Sequence, residues 1–265
     1  MQTQAKLEHY DQAIEHYSRA IAMQPNFVIA YNNRGIAYAD TGEYDLAIED
    51  FNTAIKLKPD YAIGYNNRGT VYRIIGEYDL AIEDCNKAIA LDPSYAEPYS
   101  NRGAAYREKG EEDRAIADYD KAIELKPDFV EAYYNRGIAY TKKGNFDRAI
   151  VGNAKAVELK RDLVGAYNER GDAYTKKGEI DRAIADYDKA IELKPDLVEA
   201  YNNRGEAWLH LREWEKAKLD LTTAKDMGQD IIGSFQNDYE NVAHFEGRNG
   251  VKLPEDIAAM LTRQQ

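Results

Sequence analysis

Four histidines, one cysteine and many carboxylates are the residues that could do chemistry, and spacing decides whether they do. His9 and His16 stand seven apart on one predicted helix, where a solvated pair is the expected reading, while His210 and His244 stand alone. None lies in an HExxH string, and none has cysteine or carboxylate neighbours at metal-ligand spacing. No GxSxG, GxGxxG or GxxxxGK(S/T) string places a nucleophile or cradles a phosphate. Cys85 is single, so it makes no internal disulfide and no multi-cysteine site. Acid pairs such as Glu49-Asp50 and Glu111-Glu112 lie beside lysines and arginines, as on a solvated surface. The sequence offers no catalytic residue, metal site or cofactor site, and predicts that the chain is not an enzyme.

One polar residue does recur at a fixed interval. Asn33, Asn67, Asn101, Asn135 and Asn203 fall on a period of 34, with Glu169 in the one gap. A side-chain amide donates and accepts at once, so such a row suits an extended peptide backbone. Asparagine is a poor helix former, which argues against a structural reason for it. The same interval governs the rest of the chain. The string Tyr-x-x-Arg-Gly recurs with its glycine at Gly35, Gly69, Gly103, Gly137, Gly171 and Gly205. Units of 34 residues begin at Val28, Ala62, Ala96, Val130, Val164 and Val198, with no insertion between them.

Each unit reads as two helices. Tyr31, Arg34, Gly35 and Tyr38 share one helical face, and Ala47, Phe51 and Ala54 share another. A turn such as Thr41-Gly42-Glu43 separates them, and Pro59, Pro93, Pro127 and Pro195 are expected to fix where the second helix stops. Gly35 and Ala47 are small because two antiparallel helices must cross there.

Aromatic, small-Gly, aromatic, Ala, aromatic, Ala and Pro on a 34-residue period resembles the tetratricopeptide repeat (TPR). Fourth-position aromatics are Tyr31, Tyr65, Tyr99, Tyr133, Tyr167 and Tyr201; the eleventh are Tyr38, Tyr72, Tyr106, Tyr140, Tyr174 and Trp208. The resemblance implies an all-α, right-handed solenoid of antiparallel helix pairs with a C-terminal helical cap. The expected divisions are a half unit at 1–27, full units at 28–61, 62–95, 96–129, 130–163, 164–197 and 198–231, and capping helices at 232–265. Only Tyr134 and Tyr239 of the 21 tyrosines stand outside the scaffold pattern.

The units share one departure. Arginine replaces the usual aliphatic residue before the glycine, at Arg34, Arg68, Arg102, Arg136, Arg170 and Arg204. An arginine at a packing position wants a carboxylate. Asp50, Asp84, Asp118, Asp186 and Asp220 stand 16 residues on, which predicts an Arg–Asp pair in each unit except the fourth. That unit has Gly152 there, Asn153 in place of an aromatic, and Arg161 in place of proline, which reads either as a looser junction around 150–165 or as drift in a tolerant repeat.

Stacked first helices line a concave face. Positions two, five, six, nine, twelve and thirteen of each unit are left to face it. The candidate peptide-binding residues are therefore Asn33, Asn67, Asn101, Asn135 and Asn203, with Asn32, Asn66, Tyr134, Arg73 and Arg107 beside them. Such a row resembles the asparagine ladders of peptide-binding TPR and armadillo superhelices. Arg73, Arg107, Lys142 and Lys176 put cations on the rim, whereas Glu169, Asp172, Glu199 and Glu206 turn the later units acidic. The two-carboxylate clamp of co-chaperone TPR domains begins with lysine at position five and asparagine at position nine. Here Asn32 and Ile36, then Asn66 and Thr70, hold those places, so that role is disfavoured.

The expected function is a non-enzymatic protein- or peptide-binding scaffold without cofactor. The alternatives are a self-assembling module docking through the 1–27 edge, and the regulatory or substrate-recruiting part of a larger enzyme. A net charge of −12 over 265 residues argues against nucleic acid. No apolar run approaches the roughly 20 residues of a membrane helix, and residues 1–10 lack a signal-peptide core. The expected location is cytoplasmic, unless a leader was removed with the missing half unit.

Overall fold

The computed structural model of the chain describes residues 2–262. Among these, each 34-residue period folds as two antiparallel helices, and there are sixteen helices and no strand. The chain divides into two compact units, one up to Ala139 and one from Tyr140. In the first, α1 (Gln2–Met23) precedes three hairpins: α2 (Val28–Thr41) with α3 (Tyr44–Leu57), α4 (Ala62–Ile74) with α5 (Tyr78–Leu91), and α6 (Ala96–Glu108) with α7 (Glu112–Leu125). The helix α8 (Val130–Lys142) contains the division. In the second, α9 (Phe146–Leu159) is followed by the hairpins of α10 (Val164–Lys176) with α11 (Ile180–Leu193) and α12 (Val198–His210) with α13 (Trp214–Asp226). Three short helices, α14 (Ile231–Asp238), α15 (Val242–Asn249) and α16 (Glu255–Met260), complete it.

Local chemistry sets the turns. Gly42 follows α2 at φ 85° and Gly76 follows α4 at φ 86°, a left-handed geometry that costs glycine nothing. There the Glu43 amide donates back to the Tyr38 carbonyl at 2.8 Å, closing the helix end. The second helices stop at a residue in extended geometry, such as Lys58 (φ −138°) and Lys126 (φ −136°), each just before a proline. The helix α9 stops in the same way at Lys160 (φ −137°), although Arg161 follows it. Proline therefore reinforces a stop that the chain makes without it, which corrects the expectation drawn from Pro59 and its equivalents.

Packing explains the small residues. A Cβ at Gly35 would lie 2.8 Å from the Phe51 ring, and one at Gly171 would lie 2.6 Å from the Tyr187 ring. Glycine is what lets the first helix rest on those rings. Ala47, Ala81, Ala115, Ala183 and Ala217 are all buried to 1% or less at the same crossing. Cys85 takes the ring's place in the second repeat, and burial pushes its thiol up to about 12, so it is an inert packing residue.

The expected Arg–Asp pairs form. Arg34 donates from Nε and Nη2 to the two Asp50 carboxylate oxygens at 2.7 and 2.8 Å. Arg68–Asp84, Arg102–Asp118, Arg170–Asp186 and Arg204–Asp220 repeat this two-point bond. The carboxylates are buried, at 3–7% exposure, and their hydrogen bonds raise the guanidinium pKa values, so the pairs stay ionic near neutral pH. The third nitrogen reaches the preceding repeat. Nη1 of Arg34 donates to Ser18, of Arg68 to Asn52, of Arg102 to Asn86, of Arg136 to Asp120 and of Arg204 to Asp188, at 2.5–2.9 Å. Arg170 has Ala154 at the matching place and lacks this bond.

The fourth repeat differs in substance as well as spelling. Asn153, on α9, has 0% exposure, and neither side-chain amide atom has a hydrogen-bond partner among the described residues. Arg136 keeps its bond to Asp120, yet its Nε is buried and has no partner among the described residues.

The chain's C-terminal helices cover the last hairpin. Phe235, Tyr239, Phe245, Leu253, Ile257 and Leu261 form one cluster with Leu209, Leu221 and Ala224 of α12 and α13. Tyr239, unassigned by the repeat pattern, is a core residue here at 8% exposure. At the other end, none of the described side chains of α1 is buried, and Met23 is 87% exposed. His9 and His16 are exposed.

Two stability effects follow from these contacts. Asp118→Ala strands the Arg102 guanidinium and should destabilise the chain by about 3 kcal/mol, seen as a lower urea midpoint. Asn153→Leu removes two buried, unsatisfied polar atoms at similar volume, and should raise the midpoint by about 1–2 kcal/mol; no change would mean the amide is satisfied in solution.

Candidate functional site

The asparagine row forms, and it is bonded to itself. Nδ2 of Asn67 donates to Oδ1 of Asn32 at 2.9 Å, and Nδ2 of Asn101 donates to Oδ1 of Asn66 at 2.9 Å and to the Thr70 hydroxyl at 3.0 Å. In the second unit Asn203 donates to Asn168 at 3.3 Å. Position six of one repeat thus holds position five of the repeat before it. The supposed lack of a structural reason for asparagine is corrected: helix propensity weighs only its own helix, whereas these amides are satisfied across the stack.

Position five is correspondingly buried rather than presented. Asn32, Asn66 and Asn202 are 3%, 5% and 3% exposed. Tyr134 stands at that position on α8 and is half-buried. Asn33, Asn67, Asn101, Asn135 and Asn203 are each partly exposed. The rim cations are mostly engaged: Arg107 donates to Asn135 Oδ1 at 3.1 Å and to Glu108 at 2.8 Å, and Lys176 is paired with Asp238. Arg73 is half-buried, and its Nε has no partner among the described residues.

Two clefts gather the remaining first-helix positions. In the first unit a cleft of about 220 Å³ is lined by Ile36, Asp40, Asn67, Thr70, Val71 and Ile74 among others. Ile36 and Ile74 are 39% and 47% exposed, so this cleft is apolar at its mouth. In the second unit a cleft of about 310 Å³ brings Asn168, Asp172, Glu199, Asn203 and Glu206 together with Asn237 and Asp238 of α14. The period of 34 contained the signal for Ile36, Thr70 and Ile74, which occupy positions nine and thirteen. Asn237 stands 34 residues after Asn203, on the asparagine period itself, although the Tyr-x-x-Arg-Gly string has ended before it; nothing periodic marked Asp238.

The second cleft is electrostatically unusual. Burial pushes Glu206 up to about 7, against the hydrogen bond it accepts from Asn202, and burial likewise raises Asp172. Behind it, the Tyr239 hydroxyl lies 2.9 Å from Nε2 of His210, whose pKa burial lowers.

Family models described as tetratricopeptide repeat match residues 2–62, 62–95, 85–117 and 130–163, and one described as TPR repeat matches 103–144 and 171–209. The chain belongs to the tetratricopeptide repeat family. TPR proteins are scaffolds for protein–protein interaction, and this chain is one by its fold. Among solved structures, the APC/C hetero-tetramer Cut9-Hcn1 matches with TM-score 0.74 at 17% identity, over 84% of this chain and 44% of that one. This TPR chain thus spans less than half the length of that relative. The MamA protein matches at 31% identity and TM-score 0.54, over 64% of this chain and 92% of that one. YrrB, described as a TPR protein with an unusual peptide-binding site, matches at 24% identity and TM-score 0.54, over 71% and 96%. Likeness to Cut9-Hcn1 and YrrB, each below 25% identity, extends to the fold. No curated protein matches the sequence. Among the described residues, no helix is long and apolar enough to cross a membrane.

The raised Glu206 pKa has a readable sign. Folded Glu206 holds a proton that the unfolded chain, with its usual value of 4.5, has already released. Stability contributed by this group is therefore full below about pH 4.5 and is lost as pH rises to about 7. Glu206→Gln should stabilise the chain by about 1–2 kcal/mol at pH 8 and have no effect at pH 4.5. Thermal unfolding at the two pH values checks this, and an equal shift at both refutes it.

Proposed function

We propose that the first-helix face of this TPR scaffold holds an extended segment of a partner protein, without catalysis. The supporting observation is the coincidence of positions. The same register places the partly exposed amides of Asn67 and Asn101, the apolar cleft at Ile36 and Ile74, and the acidic cleft at Asp172 and Glu206. Amides grip a backbone without reading side chains. Each cleft then supplies selectivity within its own unit: that of the first suits an aliphatic side chain, that of the second a basic one. Arg73, Arg107 and Tyr134 remain candidate contacts on the same first helices.

The test should avoid the amides, since removing Asn67 or Asn101 also breaks the ladder between repeats. Ile36→Ser with Ile74→Ser alters two exposed side chains and should leave the circular dichroism spectrum unchanged. Partners captured from source lysate by the wild type should be lost, or reduced at least about tenfold, with the double variant. Recovery of the same partners by both forms would refute the reading. A self-associating role has one observation in its favour, the unburied face of α1 with exposed Met23. It would show in the same pair of proteins as a mass that rises with concentration in both.

A further inference from the structure

The cleft between α10, α12 and α14 has a charge imbalance and an unmet hydrogen bond. Asp172, Glu199, Glu206 and Asp238 face a single cation, Lys176, which Asp238 already pairs. Asn202 lines the same cleft at 3% exposure and donates from Nδ2 to Glu206 Oε1 at 2.9 Å. Its Oδ1 is shut from solvent and has no hydrogen-bond partner among the described residues. A stranded acceptor beside a half-buried carboxylate marks a place that lacks a donor.

We propose that this cleft is a subsite for a guanidinium group, the side chain of an arginine in a partner segment. Placing the arginine on a partner segment rests on the groove reading above; the guanidinium chemistry does not. Among the described residues no group of three or more His, Cys, Asp or Glu is placed to hold a metal ion. Guanidinium offers five donors in a planar fork and is weakly hydrated, so it can pair with the Asp172 and Glu206 carboxylates together. Ammonium is a compact, strongly hydrated point charge with three donors, and matches carboxylates less well than a planar fork does. A volume of about 310 Å³ admits the planar head and its aliphatic stem.

Titration supports the assignment. Glu206 is faced by Asp172 and Lys176 from α10, Tyr187 from α11, Glu199 from its own helix, and Asp238 and Tyr239 from α14 and its end. With its value near 7, it is mostly protonated at pH 6 and mostly ionised at pH 8. An arriving cation needs the ionised form, so binding releases a proton and should tighten about tenfold from pH 6 to pH 8.

The experiment is an NMR titration of the full chain with N-acetyl-L-arginine amide. The N-acetyl amides of citrulline, a neutral isostere, and of lysine serve as comparisons. The arginine probe should saturate and shift the side-chain amide signals of Asn202, the lysine probe should bind several-fold more weakly, and the citrulline probe should not saturate. Glu206→Gln should weaken the arginine probe about tenfold at pH 8 and flatten its pH dependence. Asp172→Asn should weaken it too, and stands in if the first variant fails to fold. Citrulline or lysine binding as tightly as arginine, or affinity unaffected by either variant, overturns the proposal. Probe binding that survives while partner capture ignores Ile36 and Ile74 removes the extended-segment reading and leaves the subsite. Partner capture lost at Ile36 and Ile74 with no probe binding removes the subsite alone.

Discussion

A guanidinium where most such repeats bury an aliphatic side chain is the interaction on which the rest of this molecule depends. Buried alone, it would cost several kcal/mol; buried against a two-point carboxylate, it becomes a rigid bracket. Arg102 shows the whole device. Two of its nitrogens hold Asp118 across the helix pair, the third holds Asn86 of the preceding pair, and Tyr99 lies beneath its plane at 5.6 Å. One side chain thus fixes both the crossing inside a hairpin and the step to the next. The glycine that follows it lets the helices approach closely enough for those bonds to be short.

Fold and period were legible because they rest on repetition. A spacing of 34 residues, kept without insertion, names both helices of each pair, and the Arg–Asp offset of 16 names the bond between them. The site was less legible because position within a helix does not tell which neighbour a side chain meets. Asn32 and Asn66 read as groove residues from their register, but a 35-residue offset puts each within reach of the next repeat's amide. Asp238 and Tyr239 were beyond reach for a different reason. They belong to the segment outside the period, and only its fold brings them to α10 and α12.

The two compact units present different surfaces from one template. In the first, positions nine and thirteen carry Ile36, Asp40, Thr70 and Ile74, and the two isoleucines leave the cleft apolar at its mouth. In the second, position nine carries Asp172 and Glu206, and Asn237 and Asp238 of α14 line the same cleft. Scaffold residues are held constant while a few register positions vary. That division lets a repeat array acquire selectivity without disturbing its packing.

The missing bond at Arg170 carries a consequence for how the array holds together. In a stack where each repeat touches only its neighbours, stability is a sum of local terms along a line. Ala154 removes the tie that Ser18, Asn52, Asn86, Asp120 and Asp188 supply elsewhere, and one residue away Asn153 lies buried with its amide unmet. Both deficits fall on α9. A uniform array would repeat the same bonds at every step, whereas at this one α9 and α10 meet by packing alone at the place where the other steps add a guanidinium tie.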